Sequence, residues 1–373
     1  MITVLSVIGT RPEAIKMAPV VSELVARPGR VRSVVCATGQ HRELLDQSRG
    51  LFDIRVDHDL DLMEPDQSLA GLTSRLLTAL DDVIARERPD WILAQGDTAT
   101  AFASAMAAYF RRVRFGHVEA GLRTGDRKRP YPEEMFRRLA DAAADLCFAP
   151  TETARQALLR EGVPEDAVFV TGNTVVDALL DMAARDGGAA ADLPADIPPG
   201  ARIVLVTAHR RESFGAPLEE IFGALSDLAG AFAKEGVVFV YPVHPNPNVR
   251  KPAARLLSDT PGVALLPPLD YLSFLRLMRR SAFVLTDSGG IQEEAPTFGV
   301  PVLVMRDATE RPEGIEAGVA RLVGTRRESI VREASLLLRD PDALRAMKGK
   351  DNPYGDGRAA GRIVSILLDR DRP

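Results

Sequence analysis

Two kinds of chemistry are suggested by the spacing of polar residues in this 373-residue chain: anion binding at helix starts and proton transfer by carboxylates at strand ends. The stretch Phe283 to Glu294, FVLTDSGGIQEE, reads as a strand, a turn and the first turn of a helix. With no Cβ in the way, the N–H groups of Gly289 and Gly290 could cradle phosphate oxygens, helped by the Ser288 hydroxyl and the helix dipole. Glu294 follows about one helical turn later, where a carboxylate could accept from ribose hydroxyls. The same residues would equally serve a turn that needs glycine only for its geometry. Near the N-terminus, Thr10-Arg11-Pro12-Glu13 combines an N-cap, a first-turn proline and the glutamate of a capping box. Arg11 and Lys16 then lie in or beside the first turn and a half, where unpaired N–H groups already favour an anion. The competing reading is a capped surface helix with ordinary charges.

Three carboxylates are placed for acid/base work. Asp97, in Gln95-Gly96-Asp97-Thr98, follows the run Trp91 to Ala94. Glu119, in His117-Val118-Glu119-Ala120-Gly121-Leu122-Arg123, follows Val113-Arg114-Phe115. Glu133 opens a helix after Pro132. Each alone also reads as a capping acid or a solvated loop charge, and only their joint placement points to a site. In the second half His209 follows a strand in His209-Arg210-Arg211-Glu212, and His244 follows Tyr241-Pro242-Val243. Histidine at such positions suits proton transfer or phosphate contact, although a lone histidine more often serves as a structural hydrogen-bonder. HExxH, acidic calcium loops and strand-end DxD pairs are absent, so no metal is expected. GxxxxGK[ST] and a first-strand GxGxxG are also missing, which argues against an NTPase and a dinucleotide enzyme.

The elements that would position these residues are short β-branched runs alternating with helix-period segments, the pattern of a doubly wound α/β sheet. Strands are expected at Thr3 to Ile8, Val31 to Ala37, Trp91 to Ala94, Ala143 to Ala149, Arg202 to Thr207, Val237 to Pro242, Val263 to Leu266, Phe283 to Thr286 and Val300 to Met305. The Gly-, Ala- and Pro-rich stretch 186–201 reads as a linker between domains at 1–185 and 202–354, with a cleft between them. The last helix, within 355–373, is free by sequence to join either domain. Ligands of such sheets bind beyond the carboxyl ends of the strands, where the residues above fall.

Composition narrows the classes. Hydrophobic residues at 46% and charged residues at 27% describe a chain that folds fully. A net charge of -5 gives no global attraction to nucleic acid or an anionic membrane, so neither is an expected partner. The two cysteines, Cys36 and Cys147, sit in apolar runs and read as buried thiols. The N-terminus lacks the pattern of a secretory signal and no run is long enough to span a bilayer, so a cytoplasmic location is expected.

The ordered series Gly9-Thr10-Arg11-Pro12-Glu13-Ala14-Ile15-Lys16, Thr38-Gly39-Gln40-His41-Arg42-Glu43, Gly96-Asp97-Thr98, His117 to Arg123, His209 to Glu212, Asp287 to Glu294, Thr309-Glu310-Arg311-Pro312-Glu313 and Asn352-Pro353-Tyr354-Gly355-Asp356-Gly357 resembles the non-hydrolysing UDP-N-acetylglucosamine 2-epimerases over nearly the whole chain. The resemblance implies two Rossmann-like domains of GT-B type, with the last helix returning to the first domain, and a homodimer. It implies interconversion of UDP-N-acetylglucosamine and UDP-N-acetylmannosamine through elimination of UDP to 2-acetamidoglucal, with no cofactor. Asp97, Glu119 and Glu133 match the family's acid/base carboxylates, with Lys16 beside them. Arg11, His209, Ser288, Gly289, Gly290 and Arg311 match contacts to the nucleotide, Glu294 its ribose ligand and Phe274 a position near the base; His209 counts in both groups. Gln40, His41, Gln67 and His244 match a second, activating UDP-N-acetylglucosamine site of some bacterial members, although Asp66 stands where those carry arginine. Gln95 stands where the family commonly has histidine, and Phe136 where it has asparagine. Three alternatives stay open: a hydrolysing relative, a GT-B glycosyltransferase and an epimerase of a related UDP-hexosamine.

Overall fold

The computed structural model describes residues 1–39, 54–64, 67–186 and 197–370, so Gln40, His41, Asp66 and most of the expected linker lie outside the described residues. The chain divides into two compact units, Met1–Met182 with Tyr354–Pro373, and Ala183–Pro353.

The first unit carries one parallel sheet of β1 (Ile2–Ile8), β2 (Val31–Ala37), β3 (His58–Asp59), β4 (Trp91–Gln95), β5 (Arg114–Val118), β6 (Leu146–Ala149) and β7 (Val168–Val170), in the spatial order β3-β2-β1-β4-β5-β6-β7. Helices α1 (Arg11–Val25), α2 (Leu69–Glu87), α3 (Ala99–Arg111), α4 (Glu133–Ala143), α5 (Glu152–Arg160) and α6 (Thr174–Arg185) connect the strands. The C-terminal helix (Ala359–Arg370) belongs to this unit: its Ile363, Val364 and Leu367 share a buried cluster with Met17, Val20 and Leu24 of α1. Each such fully buried aliphatic side chain contributes about 1.5–3 kcal/mol, so this helix is part of the unit's core. Leu76 and Leu80 of α2 and the alanines of α3 pack in a second cluster with Leu5, Val7 and Ile92 of the sheet.

The second unit repeats the plan with β8 (Arg202–Thr207), β9 (Val237–Pro242), β10 (Val263–Leu266), β11 (Phe283–Thr286), β12 (Val302–Val304) and β13 (Ala320–Leu322), ordered β10-β9-β8-β11-β12-β13 and parallel throughout. Its helices are α7 (Ala216–Phe232), α8 (Pro247–Leu257), α9 (Tyr271–Arg280), α10 (Gly289–Thr297), α11 (Pro312–Glu316), α12 (Arg327–Arg339) and α13 (Pro341–Met347). Each sheet reverses its winding between two central strands, β1 and β4 in the first unit and β8 and β11 in the second. The turns after these four strands hold Arg11, Asp97, His209 and Ser288, at the switch points where open α/β sheets take ligands.

Two expected strands are shorter than their apolar runs. Ala143 ends α4, and the strand starts only at Leu146. The Asp145 carboxylate intervenes by accepting from Phe115 N–H at 2.7 Å. The run Val300 to Met305 contributes only Val302–Val304 to the ladder. Among the described residues no helix is long and apolar enough to cross a membrane.

Candidate active site

In the first unit the site grows from the carboxyl ends of neighbouring strands. Gln95 pairs in register with Val118, which puts the Gly96-Asp97 turn beside Glu119. Glu119 has a left-handed backbone (φ 65°), a conformation that costs a non-glycine residue on the order of 1–3 kcal/mol and is kept only where the surroundings enforce it. Its buried carboxylate accepts from three side chains: Lys16 Nζ and Asn173 Nδ2 (2.9 Å) on Oε1, and Gln95 Nε2 on Oε2. Charge-assisted donors of this kind hold a carboxylate in its acceptor form and fix its direction.

Asp97 is half-buried and receives Arg137, which also donates to Glu134 at 3.1 Å. Glu133 is half-buried, and its Oε2 is shielded from solvent with no hydrogen-bond partner among the described residues, a state that favours a ligand donor there. His117 is structural. Its Nδ1 lies 2.6 Å from Asp141 Oδ1 and its Nε2 2.7 Å from the Gly96 carbonyl, so both ring nitrogens face acceptors. Burial opposes its charge, but Asp141 and the Gly96 carbonyl overcome that and raise its pKa. His117 thereby bolts the Gly96 turn to α4.

Glu13 does more than cap its helix. Fully buried, it accepts from Gly9 N–H (2.5 Å), Thr10 N–H (2.9 Å) and the Thr98 hydroxyl, tying the turn after β1 to the residue next to Asp97. Burial pushes its pKa up to about 7 against these hydrogen bonds, and Asp97 adds to the rise.

In the second unit, Asp287 is buried at the end of β11, and its Oδ2 accepts from the backbone N–H groups of His209 (2.8 Å) and Arg210 (2.9 Å). The turn after β8 is thus held against the start of α10. His209 stacks on His244 with ring centroids 5.2 Å apart. Burial lowers the His209 pKa; Asp287 opposes that, and His244 and Arg210 add to it. Gly289 and Gly290 form the first turn of α10, with neither at positive φ, and the N-cap Ser288 makes no side-chain capping bond. A Cβ on Gly289 would stand 2.6 Å from Arg311 Nη1 and 3.0 Å from Arg210 Nη2. On Gly290 it would meet, among the described residues, nothing closer than Glu294 Oε1 at 3.6 Å, so no described neighbour demands glycine there, whereas an approaching ligand would.

Arg311 reaches this turn from an ionic cluster, donating to Glu293 Oε1 (2.6 Å) and Glu310 Oε1 (2.7 Å). Burial acts to raise the Glu310 pKa, but Arg311, Arg306 and Arg210 hold it down at about 2. Phe274, matched by the resemblance to a position near the base, is half-buried on α9. Among the described residues no group of three or more His, Cys, Asp or Glu is placed to hold a metal.

The family model described as UDP-N-acetylglucosamine 2-epimerase matches residues 23–368. The chain belongs to the UDP-N-acetylglucosamine 2-epimerase family. It is 50% identical over 370 residues to the UDP-N-acetylglucosamine 2-epimerase of Escherichia coli K12, covering 98% of each chain. The crystal structure of the Neisseria meningitidis UDP-GlcNAc 2-epimerase bound to UDP-GlcNAc superposes with a TM-score of 0.93 at 45% identity, covering 98% of this chain and 100% of that one. The S. aureus MnaA-UDP co-structure gives 0.89 at 42% identity, covering 100% and 99%. The fold is of the GT-B type shared by such epimerases.

Two residues where this epimerase-family chain departs from the expected pattern have defined places. Gln95 is buried and supplies a donor to Glu119. Phe136 stacks on Phe102 of α3, centroids 5.0 Å apart and planes 6° apart, within the core between α3 and α4. Of the residues matched to an activating site, Gln67 is held by Arg75 and Met63, and His244 accepts from Asn246 N–H at 3.2 Å.

Asn173, Glu134, Arg137, Asp141 and Glu310 take part in the site but are not among the residues singled out by sequence. Glu134, Arg137 and Asp141 had a usable signal, since a spacing of three and then four residues places them on one face of α4. Asn173 had none beyond a Thr-Gly-Asn-Thr turn.

Proposed function

We propose that this protein interconverts UDP-N-acetylglucosamine and UDP-N-acetylmannosamine without net hydrolysis. The observation that carries the reading is the Glu119 carboxylate, buried, oriented by three donors and set on the strand end next to Asp97. Such a group can accept a proton from carbon if the bond to the leaving group breaks in the same step. The C2 hydrogen is not adjacent to a carbonyl, so its pair of electrons must form the C1=C2 bond while the C1–O bond breaks and UDP leaves with its pair. The product is 2-acetamidoglucal. Re-addition of UDP at C1 and delivery of a proton to the other face of C2 complete epimerisation.

The roles divide between the units. Arg11 with Asp97, Glu119, Glu133 and Lys16 in the first supplies the charge and proton-transfer groups; inversion calls for at least two carboxylates. In the second, Ser288, Gly289, Gly290, His209 and Arg311 stabilise the departing diphosphate, Glu294 takes the ribose and Phe274 lies near the base. The substrate-bound Neisseria relative supports the choice of UDP-sugar. Phe136, absorbed in core packing, gives no reason to replace N-acetylglucosamine by another hexosamine.

The test is incubation with UDP-N-acetylglucosamine in deuterated water. Deuterium at C2 of both UDP-sugars is expected, with sugar nucleotide conserved. Free N-acetylmannosamine and UDP as main products would establish the hydrolysing reaction instead.

A further inference from the structure

Asn173 is one of the three donors to Glu119, and the segment Tyr354–Gly357, which has no part in the chemistry described so far, meets the turn Thr171-Gly172-Asn173 beside it. Asn173 is buried, and its two amide atoms have different tasks. Oδ1 accepts from Val175 N–H at 3.0 Å, which starts α6, and this fixes Nδ2 as the atom 2.9 Å from Glu119 Oε1. The backbone of Asn173 donates to the Tyr354 carbonyl at 2.6 Å. Gly172 (φ 89°) and Gly355 (φ 143°) allow the two backbones to touch: a Cβ on Gly172 would lie 3.3 Å from Gly355 Cα, and one on Gly355 3.4 Å from Asn173 N. Arg362 Nη1 of the C-terminal helix donates to the Thr171 carbonyl at 3.0 Å. Asp177, one turn into α6, accepts from Ala359 and Ala360 N–H at 3.2 and 2.9 Å.

We infer that Asn173 is a positioning residue for Glu119, and that the returning segment Tyr354–Gly357 with the C-terminal helix exists in part to hold Asn173 in that place. The inference rests on Glu119 as a proton-transfer carboxylate. Glu119 protrudes from a left-handed residue and needs directional support. Lys16 supplies charge on a flexible stem, whereas a rigid amide supplies direction. The amide also occupies one lone pair of Oε1 without competing as a base, which keeps the carboxylate aimed.

The decisive variant is Asn173→Asp. It keeps the oxygen that caps α6 and replaces the donor to Glu119 by a second acceptor bearing like charge. Expected are a native fold by circular dichroism with a lowered unfolding temperature, a KM for UDP-N-acetylglucosamine within about threefold of wild type, and kcat lower by at least about 30-fold. The acid limb of kcat against pH should move up by about one unit, because a neighbouring carboxylate disfavours the charged form of Glu119. The uncharged Asn173→Ser separates the roles, because it adds no charge and a merely structural asparagine would leave the limb in place there. Should Asn173→Asp fail to fold, Asn173→Ser keeps a short oxygen for Val175 N–H but falls short of Glu119, and it should lower kcat and shift the limb in the same direction by less. Gly355→Ala, pressing on Asn173 from the returning segment, should lower kcat with KM retained. Glu119→Gln is assayed in parallel. If Glu119→Gln is inactive while Asn173→Asp and Asn173→Ser keep wild-type kcat and pH profile, the positioning role is overturned. If Glu119→Gln turns over normally, the carboxylate assignment beneath it falls, and the positioning role with it.

Discussion

Lys16 and Glu119, 103 residues apart in sequence, form a buried ion pair, with side chains only 12% and 6% exposed. Removing one partner of such a pair leaves an uncompensated charge at a cost of about 3–5 kcal/mol. Here the remaining amides of Gln95 and Asn173 would absorb part of it. Lys16→Met should therefore lower kcat about 100-fold or more and move its acid limb to higher pH, because the charged form of Glu119 loses its counter-ion. Lys16→Arg should not restore the activity, since a planar fork needs room that a point charge does not. The pH dependence of steady-state kinetics checks both. Wild-type kinetics in Lys16→Met would separate this pair from catalysis.

Glu13 gives a stability prediction with a definite sign. Its folded-state pKa is raised from 4.5 to about 7, so the folded state binds its proton more tightly than the unfolded state does. Below about pH 4.5 both states are protonated and no penalty arises. As pH rises through the window from 4.5 to 7, stability falls, and the loss is complete above about 7. The total is on the order of 3 kcal/mol, from about 1.4 kcal/mol for each tenfold change in proton affinity. Glu13→Gln can present its amide oxygen to Gly9 and Thr10 N–H and its NH2 to the Thr98 hydroxyl. Urea unfolding across pH 5 to 8 should then show a flatter dependence than wild type. An equal slope in both proteins would rule Glu13 out as the titrating group.

Much of the architecture can be read from the sequence because parallel strands buried on both faces are near-continuous apolar runs. Arg202–Thr207, Val237–Pro242 and Phe283–Thr286 show this plainly. The edge strands His58–Asp59, Val168–Val170 and Ala320–Leu322 are too short to leave such a mark. At the site, Glu13 and Thr10 were legible because a capping box is local, whereas the support of Glu119 was not. Asn173 acquires its meaning from Tyr354 and Glu119, neither of them near it in sequence. Phe136 could equally have lined a pocket or filled the core, and only its stacking on Phe102 decides.

Gly289 offers a test of the proposed nucleotide turn. A methyl group there would come within 2.6 Å of Arg311 Nη1 and 2.9 Å of Glu310 Oε1, so these side chains must shift, and Arg311 is tied to Glu293 as well. Gly289→Ala should weaken UDP binding at least tenfold, about 1.4 kcal/mol, measured by calorimetry, while thermal unfolding changes little. The same affinity in both proteins would remove this turn from the UDP site.

His209 connects binding to protons. Its burial, with His244 and Arg210 nearby, lowers its pKa below the usual 6.5 despite Asp287, so the ring is neutral at pH 7. A bound diphosphate placed against it would favour the charged imidazolium and raise that pKa. Between the lowered and the raised value, UDP binding must then take up protons, and affinity must strengthen as pH falls through that window. Calorimetry at pH 6.5 in buffers of different ionisation enthalpy should show more net proton uptake in wild type than in His209→Gln, the terminal phosphate of UDP contributing equally to both. Asp287→Ala should reduce UDP affinity too, by a different route. It deprives the His209 and Arg210 N–H groups of their acceptor and releases the turn, at about 1–3 kcal/mol for buried donors left unpaired. Equal proton uptake in wild type and His209→Gln would point to another titrating group and remove His209 from contact with the diphosphate.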